Sequence, residues 1–181
     1  ERVLICIDRA TGELLWRNRL GRGGIQAGIH FGMAANAGVV YVPISDFDDG
    51  QEHELPARPG VFALDAMTGE VLWYRAHDDF CGDRQFCNPG ISAPATATDA
   101  AVFAGGMDGL LRAYDPETGA ILWRHDTTRP VTALGGEAAH GGSIGGSAGP
   151  VVHDSMVYQT SGYGIYYHMP GNVLLAFGPA D

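Results

Sequence analysis

The residues of this chain that can do chemistry lie mostly between its repetitive stretches. Asp46-Phe47-Asp48-Asp49-Gly50 gathers three carboxylates, a set that can act as a general base or hold a hard cation. Asp46 is the first candidate for both roles, and Asp48 the second candidate ligand. The segment is not an EF-hand loop, because Gln51 stands at the required Gly position and Ala57 where the bidentate Glu belongs. The overall acidity of the chain leaves a plainer reading open, carboxylates that only face solvent. His140 precedes Gly141-Gly142-Ser143, a run whose backbone N–H groups can approach a ligand's carboxylates. Asp108-Gly109 has the composition of a tight turn, with ligand binding as its alternative role. Cys81 and Cys87 bracket a short polar loop. A disulfide there suits an oxidising compartment, and two neighbouring free thiols are the other reading. Cys6 reads as a small core residue. There is no paired C-x-x-C framework for zinc, and no Ser-His-Asp or nucleophile-elbow arrangement in a strand-to-helix context.

The elements that must position these groups follow from a repeat. Ile7-Asp8-Arg9-Ala10-Thr11-Gly12-Glu13-Leu14-Leu15-Trp16 recurs at Leu64 to Trp73 and again at Tyr114 to Trp123, so the tryptophans are 57 and 50 residues apart. A fourth copy starts at Asn172-Val173-Leu174-Leu175-Ala176-Phe177. In each copy the Asp and Thr side chains can satisfy backbone N–H groups across a turn, and Gly supplies a positive φ, so Asp-x-x-Thr-Gly is a hairpin. The runs before it are apolar at successive positions, which predicts strands buried on both faces. The Trp closing each copy is expected to pack across to a neighbouring sheet, with cofactor stacking as the lesser alternative.

Two further strands precede each hairpin. The order A to D reads as residues 29–34, 39–45, 61–65 and 70–73, and again as 91–97, 101–105 and 110–114 followed by the third Trp run. A third set covers 149–152, 156–161 and 173–177. The expected fold is all-β, a partial β-propeller of four-stranded blades in one domain over residues 1–181. Residues 1–20 would end one blade, 21–76 and 77–126 would be complete blades, and 127–181 an incomplete last one. Closing such a ring requires further strands, so earlier blades of the same protein are expected partners. Propeller connectivity puts the D–A and B–C loops at one end and the repeat hairpins at the other. The loop end gathers Arg22, Gln26, His30, Asp46, Asp48, Asp49, Cys81, Cys87, Asp108, His140, Tyr163 and His168. His30, on the innermost strand, would line the axial channel.

Composition narrows the function. Lys and Arg total 11 against 21 Asp and Glu, for a net charge of −10, which argues against a nucleic-acid partner. No apolar run is long enough to span a bilayer, and any leader would lie upstream of Glu1. Gly accounts for 27 residues, about twice its usual share of roughly 7%, as short strands and tight turns require.

The Asp-x-x-Thr-Gly-x-x-x-Trp hairpin resembles the pyrroloquinoline quinone (PQQ) repeat of quinoprotein dehydrogenases and their non-catalytic relatives. The intervening stretches are similar to the C-terminal half of the polyvinyl-alcohol dehydrogenase family. They are Gly23-Gly24-Ile25, Val39 to Val42 with Ser45-Asp46, Gly106 to Asp115, Gly141 to Ile144, Ser161 to Gly164 and Met169 to Phe177. Residues 47–60, a longer B–C insertion, depart from that pattern. The resemblance implies an eight-bladed, periplasmic or secreted parent that oxidises secondary alcohols with PQQ and Ca2+ and passes electrons to a cytochrome c. For that chemistry, type and place at the loop end make Asp46 the candidate base or calcium ligand, Asp48 a second candidate calcium ligand, and His30, Asp108, His140, Gly142 and Ser143 candidate cofactor-binding groups. The competing class is a protein-binding scaffold of the outer-membrane assembly type, which shares the repeat without a cofactor.

Overall fold

In the computed structural model, residues 3–24, 27–47, 50–146 and 148–179 are described, and among them there are only strands, turns and loops. Strands β1 (Leu4–Ile7) and β2 (Leu14–Asn18) form a first antiparallel pair. Strands β3 (Ala34–Asn36), β4 (Val39–Ile44), β5 (Gly60–Asp65) and β6 (Val71–Ala76) form a four-stranded sheet in sequential order. A second four-stranded sheet follows, from β7 (Thr96–Ala97), β8 (Val102–Gly105), β9 (Leu110–Tyr114) and β10 (Ile121–Asp126). A small hairpin of β11 (Val131–Thr132) and β12 (Ala138–Ala139) precedes a three-stranded sheet of β13 (Val151–His153), β14 (Met156–Ser161) and β15 (Val173–Phe177). This is a partial propeller, as the repeat predicted.

The repeat hairpins are built alike. Asp65 Oδ1 accepts the N–H groups of Met67 and Thr68 and the Thr68 hydroxyl, and Thr68 Oγ1 in turn accepts the Glu70 N–H. Asp8 and Asp115 repeat the pattern. Each turn closes on a Gly whose φ is +76°, +73° or +67°. At Gly69 and Gly119 hydrogen is also the only substituent that fits, since a Cβ would meet the ring of Trp16 or Trp73 at 2.5 Å.

Those rings join the sheets. The Trp16 indole N–H donates to the Ala66 carbonyl at 3.0 Å, and that of Trp73 to the Pro116 carbonyl at 2.9 Å. Two residues beyond each Trp, Asn18 and Arg75 donate to the carbonyls of the same two glycines. Packing follows one register rule. Leu4 lies with Phe62 and Leu64 of the next sheet, Val61 and Ala63 with Tyr114 and Val102 of the next, and Leu111 with Val157 and Phe177 of the last. One face of each third strand therefore meets the opposite face of its successor.

The innermost strands are shorter than the sequence pattern implied. Residues 29–34 were expected as strand A, but β3 begins at Ala34, and Ile29 makes only an isolated bridge to Ile44. Likewise residues 91–97 shrink to β7 at Thr96–Ala97. Near the axis these runs pair with neighbouring sheets instead. Ile91 N–H bonds to the Ile44 carbonyl, Ile144 N–H to the Gly106 carbonyl, and Ser92 bridges Gly145. Pro94, which cannot donate to a ladder, interrupts the second run.

Candidate functional site

At the loop end, Asp46 leaves β4 with a left-handed backbone, φ +43°, and its side chain is buried. Its Oδ1 accepts the N–H groups of Arg22 (2.9 Å) and Gly28 (2.7 Å), and Oδ2 accepts the N–H of Arg58 (3.0 Å). The carboxylate thus ties the loop after β2 to the insertion between β4 and β5. Arg58 reinforces the tie by donating to the Leu20 carbonyl at 2.6 Å, and Arg22 by donating to the Leu55 carbonyl. Three of the lone pairs of this carboxylate are thus engaged by backbone N–H groups, which leaves little of it for a cation or a substrate. Asp48, Asp49 and Gln26 lie outside the described residues.

His30 was expected on the innermost strand, but it sits in the irregular run before β3. Its Nδ1 is 2.9 Å from Ser92 Oγ, so it fastens the first four-stranded sheet to the second. Asp108 is fully buried, and there the ligand-binding expectation meets a competing partner: it pairs with Arg112 at 2.5 Å and accepts the Leu110 N–H at 3.0 Å. Its Asp-Gly turn is present, with Gly109 at φ +81°.

The Gly-rich run closes on its own surroundings. Gly142 N–H donates to Ser161 Oγ at 3.0 Å, Ser143 N–H to the Met169 carbonyl, and Gly141 N–H to the Thr127 carbonyl. Ser143 Oγ donates to the Met107 carbonyl at 2.6 Å and accepts the Met169 N–H. A cradle of outward N–H groups at Gly142 and Ser143 is therefore not what the loop presents: it packs so tightly that a Cβ at Gly142 would lie 2.1 Å from the Met169 carbonyl oxygen. His140 is exposed, with Nδ1 2.8 Å from the Gly141 carbonyl.

Cys81 and Cys87 are joined by a disulfide. The loop that it closes carries Phe86, whose ring centroid lies 6.1 Å from that of Tyr167, and Tyr167 is 6.4 Å from Phe47. Three loops from three sheets meet through these rings. Tyr166 and Tyr167 both have positive φ, and with Tyr163 and Ile165 they form an exposed stretch of the same loop. His168 Nδ1 lies within bonding distance of the Ile165 and Tyr166 carbonyls, while its Nε2 is buried without a partner among the described residues.

Sequence reasoning missed the buried His77. His77 Nδ1 lies 2.8 Å from the Pro89 carbonyl, which can only accept, so Nδ1 carries the proton and Nε2 accepts the Tyr114 hydroxyl at 2.5 Å. Burial and the charge of Arg112 push the His77 pKa down to about 3, and burial pushes Tyr114 up. A signal was present: four residues after each repeat Trp come Leu20, His77 and Thr127, all buried. A polar residue at a position that Leu20 fills elsewhere marks an internal hydrogen bond. Thr127 behaves alike, 2.7 Å from Ser161 Oγ.

Comparison with known proteins adds the family context. Residues 1–167 match the PQQ_2 family, described as outer membrane protein assembly factor BamB. Two curated proteins named polyvinylalcohol dehydrogenase are each 39% identical to this chain. The Sphingopyxis sp. (strain 113P3) protein matches 89% of the chain and 25% of its own length, and the Pseudomonas sp. protein 92% and 27%. The chain thus spans about a quarter of the length of these relatives. Among solved structures, BamB from Moraxella catarrhalis superposes with a TM-score of 0.60 at 23% identity, covering 97% of this chain and 39% of its own. A quinohemoprotein alcohol dehydrogenase from Pseudomonas putida HK5 gives a TM-score of 0.51 at 22% identity, over 77% of this chain and 17% of its own.

Proposed function

The chain belongs to the PQQ_2 repeat family, and from that premise we propose that it is part of a quinoprotein alcohol dehydrogenase oxidising secondary alcohols or polyols. The observation that carries this reading is the 39% identity to two polyvinylalcohol dehydrogenases over nine-tenths of the chain. The proposal includes a cytochrome c as electron acceptor, a periplasmic or secreted location, and the assignment of residues 1–20, 21–76, 77–126 and 127–181 to successive blades of one domain. No helix among the described residues is long and apolar enough to cross a membrane.

PQQ would supply the two-electron acceptor and calcium the charge that polarises it. Among the described residues, the donors do not by themselves form a calcium site. Asp46 already holds three N–H groups, and among the described residues no three His, Cys, Asp or Glu side chains converge on a point a metal could occupy. No reaction step is therefore assigned to them. In the proposed enzyme this chain builds a stiff part of the wall around the site. Asp46, His30 and Ser143 hold its loops, and the remaining blades supply the groups that touch the cofactor.

A second reading, a protein-binding scaffold, draws on the family's description and on the loop-end polar groups being satisfied internally. Titrating the intact protein with PQQ and calcium, then following alcohol-dependent reduction of a dye, separates the two. Saturable binding with turnover on secondary alcohols supports the dehydrogenase. A folded, intact protein that binds no PQQ leaves the scaffold.

A further inference from the structure

One cavity lies apart from the groups considered so far. Phe80, Leu110, Arg124, His125, Asp126 and Arg129 line a pocket of about 350 Å³ on the rim of the second four-stranded sheet. Phe80 comes from the loop between β6 and β7, and the other five from β9, β10 and the loop that follows β10. We propose that it binds a small organic carboxylate, independently of the function proposed above.

Charge is the first argument. The chain carries a net charge of −10 and its 11 cationic side chains are all arginines, yet Arg124 and Arg129 both face this pocket, and the charge of Arg84 reaches its only carboxylate, Asp126. The lining itself therefore holds two guanidinium groups against one carboxylate, in an otherwise acidic protein. Arg124 has no ion pair among the described residues; its guanidinium lies 5.3 Å from the centre of the Phe80 ring. Arg129 reaches Asp126 only at 3.5 Å and is largely exposed, the kind of pair that an incoming carboxylate displaces readily.

Rigidity is the second argument. Arg84 donates to the Phe80 carbonyl at 3.0 Å and to the Cys81 carbonyl at 3.2 Å, and the Cys81–Cys87 disulfide closes the same loop. Phe80 is thereby held against Arg124 before any ligand arrives, which lowers the ordering cost of binding. Phe80 and Leu110 offer apolar surface beside the guanidinium groups, so the site favours an anion with an apolar body over a bare inorganic one.

Calorimetric titration of the intact protein with benzoate at low ionic strength tests this, with sulfate as the comparison anion. Benzoate is expected to bind at one site and more tightly than sulfate. Arg124→Gln is expected to weaken it by about tenfold or more, with partial recovery in Arg124→Lys. Asp126→Asn keeps the acceptor used by Thr128 but removes the internal competitor, so it is expected to tighten binding, an outcome a merely structural role would not produce. All three variants are expected to melt as the parent does. No benzoate binding, sulfate binding as tight as benzoate, or weaker binding in Asp126→Asn would each overturn the proposal.

Discussion

The third strands of the two four-stranded sheets and those of the two outer sheets occupy the same repeat position, yet their exposure differs. In β5, Val61, Phe62, Ala63 and Leu64 are all buried, and in β9 Leu111, Arg112, Ala113 and Tyr114 are too. In β1 the residues matching Phe62 and Leu64, Ile5 and Ile7, are 58% and 56% exposed, whereas Leu4 is covered. In β15 the opposite face is open: Leu174, matching Val61 and Leu111, is 67% exposed. The same strand pattern is thus buried twice only where a sheet has neighbours on both sides. The two open faces are also complementary, since everywhere inside the molecule the face that β1 leaves bare packs on the face that β15 leaves bare.

The largest effect is expected where the two inner sheets themselves differ. Arg112 replaces an aromatic, Phe62, and needs Asp108 to be tolerated in the interior. Asp108→Ala strands that guanidinium and is expected to cost about 3–5 kcal/mol in denaturant unfolding, with much of the loss recovered in Asp108→Ala/Arg112→Phe. Next comes the comparison of inner and outer faces. Leu111→Ala is expected to cost about 2–5 kcal/mol, and Leu174→Ala, at the equivalent position, no more than about 0.5 kcal/mol. Equal losses would mean that the open face of β15 is covered in the intact protein.

His77 sharpens the contrast through pH. Its folded-state pKa is about 3 against an ordinary 6.5, so the unfolded chain binds the extra proton first. Stability is full above about 6.5 and falls on acidification towards about 3, with a slope approaching 1.4 kcal/mol per pH unit. His77→Gln is expected to flatten melting temperature against pH in that window, although the variant is less stable at neutral pH. The smallest effect belongs to the exposed turns. Backbone and hydroxyl donors of Thr68 hold the Asp65 carboxyl below its ordinary 3.8, so its contribution is present above that value and disappears as pH falls through the lower one. Asp65→Asn is expected to change the melting temperature at pH 5 but not at pH 2.

Local chemistry made the hairpins legible. Asp, Thr and Gly act within a few residues of one another, so Asp65-x-x-Thr68-Gly69 states its own hydrogen bonds, and the Trp at a fixed distance states where the next sheet docks. The inner strands were less legible because their partners are other sheets: Ile91 bonds to Ile44, a contact that no periodicity within residues 91–97 encodes. The candidate site was the least legible. A carboxylate at the end of a strand reads the same in sequence whether it faces a cofactor or three backbone N–H groups, and Asp46 faces the latter.

The sequence by itself determined the repeat, its hairpins, the all-β class and the sheet-to-sheet docking residues, because each depends on short-range bonding or on a side-chain pattern repeated at fixed spacing. Only the tertiary structure decided which polar groups remain for function. Hydrogen-bond capacity is finite: Asp46, Gly142 and Ser143 spend theirs on segments distant in sequence and Asp108 spends its own on Leu110 and Arg112, while Arg124, with no ion pair among the described residues, is left facing a cavity.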